Sequence, residues 1–409
     1  MEPRHAICLV IDGLRASALG TYGNTQFATP HFDKLASRSV VAEWMLADSP
    51  TLAGFYRAVW EGRHAASVAR EGVGQSVVNG LASRGVTQSL LTDDESIATT
   101  AEMQSIDEVI SHSHAENDSR DASDVTFLES FFATAIDRLH RWREAPDDAD
   151  TLLWFHSRGM FGPWDAPIHL RERLLDEEDP QASDFTDPPA MLDCVDDPDL
   201  LLLYRIAYAA QIMLLDTCVG AFVSAVDELF NDSETLIMVA GSRGFALGEH
   251  GAVGTDCQQL HSEQLHLPCL VCENGDYSEG RREVSLSQPT DIGACLEAWF
   301  RGDTAATSHG LPTLLRMVDS NADRRDLAIT IGSQVERMIR TPEWQLRTCG
   351  AGEQQENELF TKPDDRWERN DVSSLCPAVV SRLLSELDSC QQLGRRGEQL
   401  PLQLSAELA

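Results

Sequence analysis

Basic residues are scarce in this chain. Lys and Arg number 32 against 66 Asp and Glu in 409 residues, a formal net charge of −34. That balance lacks the basic faces that nucleic acids and anionic membrane surfaces require, so neither is expected as a partner. Long apolar runs are missing too: no uninterrupted stretch of 18 apolar residues is found, and no membrane span is expected. The apolar run at residues 6–11 is too short for a signal-peptide core and no small-residue cleavage site follows it, so a cytoplasmic location is expected. Cysteines are few and unpatterned; the ten are scattered as reduced thiols would be, with no disulfide framework. Cys269-Leu270-Val271-Cys272 has C-x-x-C spacing, but it lies in an apolar, strand-like run without a second pair. Buried strand cysteines are expected there, not zinc or redox chemistry.

What is present is 42% apolar residues in a chain long enough to bury a large core. His5-Ala6-Ile7-Cys8-Leu9-Val10-Ile11 reads as a strand buried on both faces, and it ends at Asp12-Gly13. Parallel sheets place their chemistry at the carboxyl ends of strands, which makes Asp12 a candidate ligand-holder. Thr29-Pro30 opens a helix with Thr29 as cap, and Ser49-Pro50-Thr51 turns into another that ends at Gly62-Arg63-His64. Strands are expected at 86–92, 151–156, 235–240 and 267–272, with helices at 123–143 and 201–229. Residues 173–199, rich in Asp, Pro and Ser, read as an exposed acidic loop. Strands alternating with helices imply a doubly wound α/β sheet. Beyond residue 325 the pattern changes to short strands at 326–331, 335–339 and 344–348, then a helix at 377–387 and a poorly anchored tail over the last dozen residues. The expected division is therefore 1–322 for a large α/β domain and 323–409 for a small antiparallel subdomain.

Several motifs occur in order along this frame. They are Ile11-Asp12-Gly13-Leu14-Arg15; Leu19-Gly20-Thr21-Tyr22-Gly23-Asn24 with Thr29-Pro30 to Leu35-Ala36; and Ser49-Pro50 to Gly62-Arg63. His156 to Pro167, Leu247-Gly248-Glu249-His250-Gly251, and Glu358-Leu359-Phe360 with Arg369-Asn370 complete the set. Together they resemble the sulfatases of the alkaline phosphatase superfamily nearly end to end. The resemblance implies an alkaline-phosphatase-like α/β sandwich, a large mostly parallel sheet between helices, with a small C-terminal antiparallel subdomain. It also implies a Cys or Ser matured to formylglycine that attacks sulfur, and a divalent cation, usually calcium, held by acidic and amide groups.

The positions carrying that chemistry are altered. The family's metal-ligand positions fall on Asp12, Gly13, Ser242 and Arg243, of which Asp12 alone could ligate as in the family. The nucleophile falls on Leu52, and the proline and arginine of C-x-P-x-R fall on Gly54 and Tyr56. The middle motif's Asp and His fall on Gly159 and Phe161, and a downstream Lys falls near Thr255. One carboxylate is too few for a hard dication, which takes six or more oxygens, so no metal or other cofactor is expected. The sequence therefore predicts a pseudoenzyme that binds or assembles, with a small molecule or a protein as partner. One alternative is a hydrolase of sulfate or phosphate esters with unorthodox residues, Thr51 or Ser242; another is a structural or interaction protein.

Thr51 adjoins the nucleophile position, and a helix cap is its expected role. His250, His261 and His266 are expected to be surface or packing residues, because positions five apart do not share a helix face. Arg243 carries the most physical content. A guanidinium there would relieve a buried Asp12 charge left without a metal, and with Arg158 it forms a candidate anion pocket.

Overall fold

The structure, a computed structural model, describes residues 3–68, 76–113, 125–144, 149–193, 197–255, 259–273, 280–302, 325–332, 335–350 and 352–404. In chain order, β1 (Arg4–Ile11) leads to α1 (Pro30–Ala36), β2 (Val40–Leu46), α2 (Leu52–Glu61) and α3 (Val77–Ala82). Then come β3 (Thr87–Thr92), α4 (Glu95–Glu102), β4 (Glu108–Ser111), α5 (Phe127–Glu144) and β5 (Thr151–Ser157). Next are α6 (Ile168–Glu172), β6 (Leu192–Asp193), α7 (Pro198–Leu229), β7 (Glu234–Gly241), β8 (Ala246–Leu247) and β9 (Ala252–Gly254). They are followed by α8 (Ser262–Leu265), β10 (His266–Leu267), β11 (Cys269–Glu273), β12 (Arg281–Ser287) and α9 (Pro289–Arg301). The C-terminal part holds β13 (Ala328–Ile331), β14 (Arg337–Arg340), β15 (Trp344–Cys349), β16 (Glu356–Thr361) and α10 (Pro377–Arg395).

Two compact units result, each assembled from separate segments: Met1–Val41, Ala82–Cys257 and Pro268–Arg281 form one, and Ala42–Leu81, Gln258–Leu267 and Arg282–Ala409 the other. A linear division at 322/323 does not describe them, because residues 42–81 and 258–267 group with the C-terminal part; the 322/323 junction itself lies outside the described residues.

In the first unit the strand order is β11-β7-β1-β5-β3-β4, parallel from β7 to β4, with β11 antiparallel to β7. β1 is flanked by a strand on each side, which is why its residues are almost wholly apolar and buried. Ile7, Leu9 and Ile11 join a core with Phe131, Phe132 and Leu139 of α5 and Tyr208, Leu215 and Phe222 of α7. By length and composition α7 is apolar enough to cross a membrane, its best window having mean hydropathy 1.7, although Arg205, Gln211 and Asp216 interrupt its apolar residues. It is a core helix: 61% of that window is buried. Cys269 and Cys272 are buried in β11, as expected.

Two local expectations are also corrected. Thr29 does not cap α1; its Oγ1 accepts from the Gly20 N–H (2.9 Å). The orphan N–H groups of His31 and Phe32 go instead to the Asp216 carboxylate of α7, at 3.0 and 2.9 Å. The acidic loop is less free than its composition suggests. The buried Arg171 guanidinium donates to the carbonyls of Ser183 (2.6 Å), Phe185 (2.9 Å) and Trp164 (2.5 Å), gathering the loop under one side chain. Residues 194–196 of that loop lie outside the described residues, as do 123–124 of the expected helix.

In the second unit β13-β14-β15-β16 form an antiparallel meander. Its Ile329, Ile339, Leu346 and Leu359 pack with Val380, Leu383 and Leu387 of α10. β16 was expected only as part of a motif, and α10 runs past Leu387 to Arg395. The tail is anchored as far as the structure describes it. Leu400 and Leu404 join this core, and Asp326 donates its N–H to the Leu402 carbonyl (2.9 Å) while accepting from Leu404 N–H (2.8 Å).

Candidate functional site

Strand register builds the site in the first unit. Ile11 lies opposite Ser157 of β5 and Gly241 of β7, so three strands end level. The next residues, Asp12, Arg158 and Ser242, therefore emerge together at the carboxyl edge, held by Asp12 N–H to Ser157 O (2.9 Å) and Ser242 N–H to Ile11 O (3.2 Å).

Asp12 is fully buried and its carboxylate is fully engaged. Oδ1 accepts from Ser242 Oγ (2.7 Å), the Gly13 N–H (3.1 Å) and Arg243 Nε (2.9 Å); Oδ2 accepts from Arg243 Nη2 (2.8 Å). This is the bidentate geometry in which a guanidinium best offsets a desolvated carboxylate. The Arg243 guanidinium also lies on Phe161, its carbon 3.7 Å from the ring centroid, and Phe161 in turn meets Phe245 edge-on at 5.5 Å.

Two glycines complete the packing. Gly13 has φ +73°, and a Cβ there would stand 2.7 Å from Met160 Cβ and 2.8 Å from Phe161 Cδ2. Gly159 has φ +49°, and its Cβ would meet the Asp12 carbonyl oxygen at 2.6 Å. Neither position has room for a side chain, let alone an acid. The donor set does not fit a divalent cation: one carboxylate, already spanned by a guanidinium, and one hydroxyl that donates to it.

Asp93 is a group that the sequence reading did not single out. Asp93 follows β3, accepting from Arg158 N–H (2.6 Å) at one oxygen and from Ser157 Oγ (3.3 Å) at the other. Burial pushes its carboxyl up to about 7 in spite of those bonds. Burial pushes the His156 imidazole down to about 4, against the pull of the Asp12 and Asp94 carboxylates, so it is neutral near pH 7. Arg15 forms a salt bridge with Glu249 (2.5 Å) and faces the Tyr208 ring. Burial works to raise the Glu249 carboxyl, but the Arg15 guanidinium holds it below the usual carboxylate range. Thr255 ties its N–H to the Pro189 carbonyl (3.0 Å) and its Oγ1 to the Ala190 carbonyl (3.3 Å), at the end of the acidic loop.

The remaining family positions belong to the second unit. Thr51 Oγ1 accepts from the Gly54 N–H (3.1 Å) and shares a hydrogen bond with Ser49 Oγ (3.0 Å), so it caps α2. Leu52 is the first, buried residue of that helix. A Cβ on Gly54 would meet Ser49 Cβ at 2.4 Å, and Tyr56 packs its ring against Phe55 and Trp60. His261 bonds Glu368 (2.9 Å), and His266 bonds the Glu43 carbonyl (2.8 Å) while stacking on Trp44.

A model of the Sulfatase family matches residues 4–300. The chain belongs to the sulfatase family. One curated relative, the multifunctional alkaline phosphatase superfamily protein PehA of Trinickia caryophylli, is 25% identical over 107 residues, 26% of this chain and 20% of that protein. The chain thus matches about a fifth of that relative's length. Among solved structures, the phosphonate monoester hydrolase of Agrobacterium radiobacter superposes with a TM-score of 0.71 at 14% identity, covering 96% of both chains. BT4656, solved in complex with its substrate D-glucosamine-2-N,6-O-disulfate, gives 0.70 at 15% identity, covering 96% of this chain and 98% of that one. At these identities the likeness carries the sulfatase fold alone: a large, mostly parallel sheet flanked by helices, with a separate small antiparallel sheet.

Proposed function

We propose that this sulfatase-family chain has lost formylglycine- and metal-dependent hydrolysis of sulfate esters and acts through binding or assembly. The observation that carries the reading is the Arg243 guanidinium set bidentately on Asp12 and backed by Phe161. A positive group already satisfies the carboxylate that a cation would need, and the aromatic ring fills the space beside Gly13. Leu52 supports it: a leucine side chain has no heteroatom with which to attack sulfur.

The rival reading, a hydrolase using Thr51 or Ser242, meets two obstacles. Thr51 Oγ1 is committed to the cap of α2, and Ser242 is fully buried with its hydroxyl directed at Asp12. Turnover of 4-nitrophenyl sulfate and 4-nitrophenyl phosphate, with EDTA and with added calcium, manganese or zinc, separates the readings. No turnover above background is expected in any condition, and metal analysis of the purified protein is expected to give substoichiometric divalent ions. Metal-dependent turnover that disappears in Thr51→Ala or Ser242→Ala would overturn the proposal.

A further inference from the structure

Of the 32 basic residues that face the acid excess of this chain, two are lysine. Lysine is otherwise among the commonest residues of soluble proteins. Lys362 is buried against Glu368 (2.9 Å), which leaves Lys34 of α1 as the one lysine at the surface. The remaining positive charge is arginine, and arginines such as Arg38 and Arg347 hold carboxylates by direct contact. Arg38 reaches both oxygens of Asp227 (2.7 and 2.8 Å), and Arg347 spans Glu336 and Glu358. A guanidinium offers a rigid fork that matches a carboxylate, where an ammonium offers a hydrated point charge on a flexible stem. Many acids have no such match. Arg173 is the one basic residue between positions 172 and 192. Asp176, Glu177, Glu178, Asp184 and Asp187 are exposed there, and none is in a salt bridge among the described residues.

We infer that the chain is built to fold in molar salt. Physiological ionic strength leaves charges interacting over about 8 Å. Asp176, Glu177 and Glu178 follow one another with Cα atoms about 3.8 Å apart, inside that reach. Repulsion among such acids opposes the compact state. At about 1 M the screening length is about 3 Å, shorter than the spacing of consecutive residues, and the cost falls away. The part-buried contacts of Arg38 and Arg347 are screened much less. Strong salt therefore removes what opposes this fold and leaves much of what holds it. Surface lysines would act in the opposite sense: their attraction would offset the acids in dilute solution and would be screened away in strong salt. A chain selected for dilute salt has a use for them, and this one has almost none. The inference concerns the medium in which the protein works and does not depend on the loss of hydrolysis.

The test is thermal unfolding of the full chain, followed by tryptophan fluorescence, from about 0.01 M to about 3 M potassium chloride. The melting temperature is expected to keep rising between about 0.15 M and about 1 M and to level off beyond, where screening is complete. A five-fold variant carrying Asp176→Lys, Glu177→Lys, Glu178→Lys, Asp184→Lys and Asp187→Lys should melt above wild type at about 0.01 M and lose that advantage by about 1 M. Arg171 holds this loop through backbone carbonyls, so the exchange leaves the anchor in place. Sucrose, which is excluded from the surface and carries no charge, should stabilise both chains alike. A wild-type melting temperature that is flat, falls, or has already levelled off at about 0.15 M would overturn the inference. So would a five-fold variant no more stable than wild type in dilute salt. Turnover of 4-nitrophenyl sulfate is read separately, so either conclusion can fail without the other.

Discussion

A carboxylate sealed from water must find its counter-charge inside the protein, and Asp12 finds it in Arg243. Arg243→Met should therefore cost about 3–5 kcal/mol in urea unfolding, because the charge left behind on Asp12 stays buried. Asp12→Asn together with Arg243→Met should recover most of that loss; a double variant no more stable than the single one would show that packing on Phe161, not charge, makes the contribution. Gly13→Asp restores a family carboxylate in name only. The left-handed backbone and the Cβ contacts with Met160 and Phe161 should destabilise it by about 1–3 kcal/mol. Calcium should not raise its melting temperature. Asp93 adds a pH dependence whose sign follows from its raised titration. Between about pH 4 and about pH 7 the folded chain keeps a proton that the unfolded chain releases, so stability falls as pH rises through that window. His156 acts oppositely: its lowered titration gives stability that is present above the unfolded value of about 6.5 and is lost as pH falls toward 4. Asp93→Asn should gain stability relative to wild type as pH rises from about 4 to about 7, and a constant difference between the two would contradict the burial argument.

At the scale of elements, α2, where the resemblance places the family's nucleophile at Leu52, has the build of an ordinary helix. Its threonine cap and its Gly62 stop in the left-handed region are ordinary helix boundaries, and Leu52 and Tyr56 contribute core. Thr51→Ala should cost about 1 kcal/mol of stability through the lost cap and change no measured activity. A larger loss of some turnover than of stability would point to a nucleophile. Elements of this kind were legible in the sequence because local signals agree: an apolar run, a capping hydroxyl, a terminal glycine. The alignment of Asp12, Ser242 and Arg243 was legible for a related reason, since each lies within two residues of the end of a buried strand and parallel strands end level. What escaped depends on distant partners. The cap of α1 comes from Asp216, nearly two hundred residues on, and no local pattern announces it. Arg171 looks like a surface residue until the carbonyls of Ser183 and Phe185 close on it. Asp93 carried the same signal as Asp12, an acid at the end of a buried strand, but its effect comes from how little water reaches it. Strand β16 coincides with a motif whose residues carry the family likeness, so its strand character is not separately marked.

For the whole molecule, the dominant fact is a charge of −34, carried by a chain in which arginines such as Arg4, Arg15, Arg38 and Arg337 are held in ion pairs. Such a surface repels itself, and the repulsion opposes the compact state more than the expanded one. Screening at physiological ionic strength shortens the reach of each exposed charge to about 8 Å, and stronger salt shortens it further. Potassium chloride should therefore raise the melting temperature by a few degrees between low salt and about 0.5 M. Exposed salt bridges such as Arg4–Glu234 would be weakened over the same range, but pairs of that kind contribute at most about 1 kcal/mol each. The sign of the salt effect thus reports which term is larger. A rise means the unpaired acids outweigh the pairs; a fall means that the surface pairs hold the fold and that the excess of acid is tolerated at little cost.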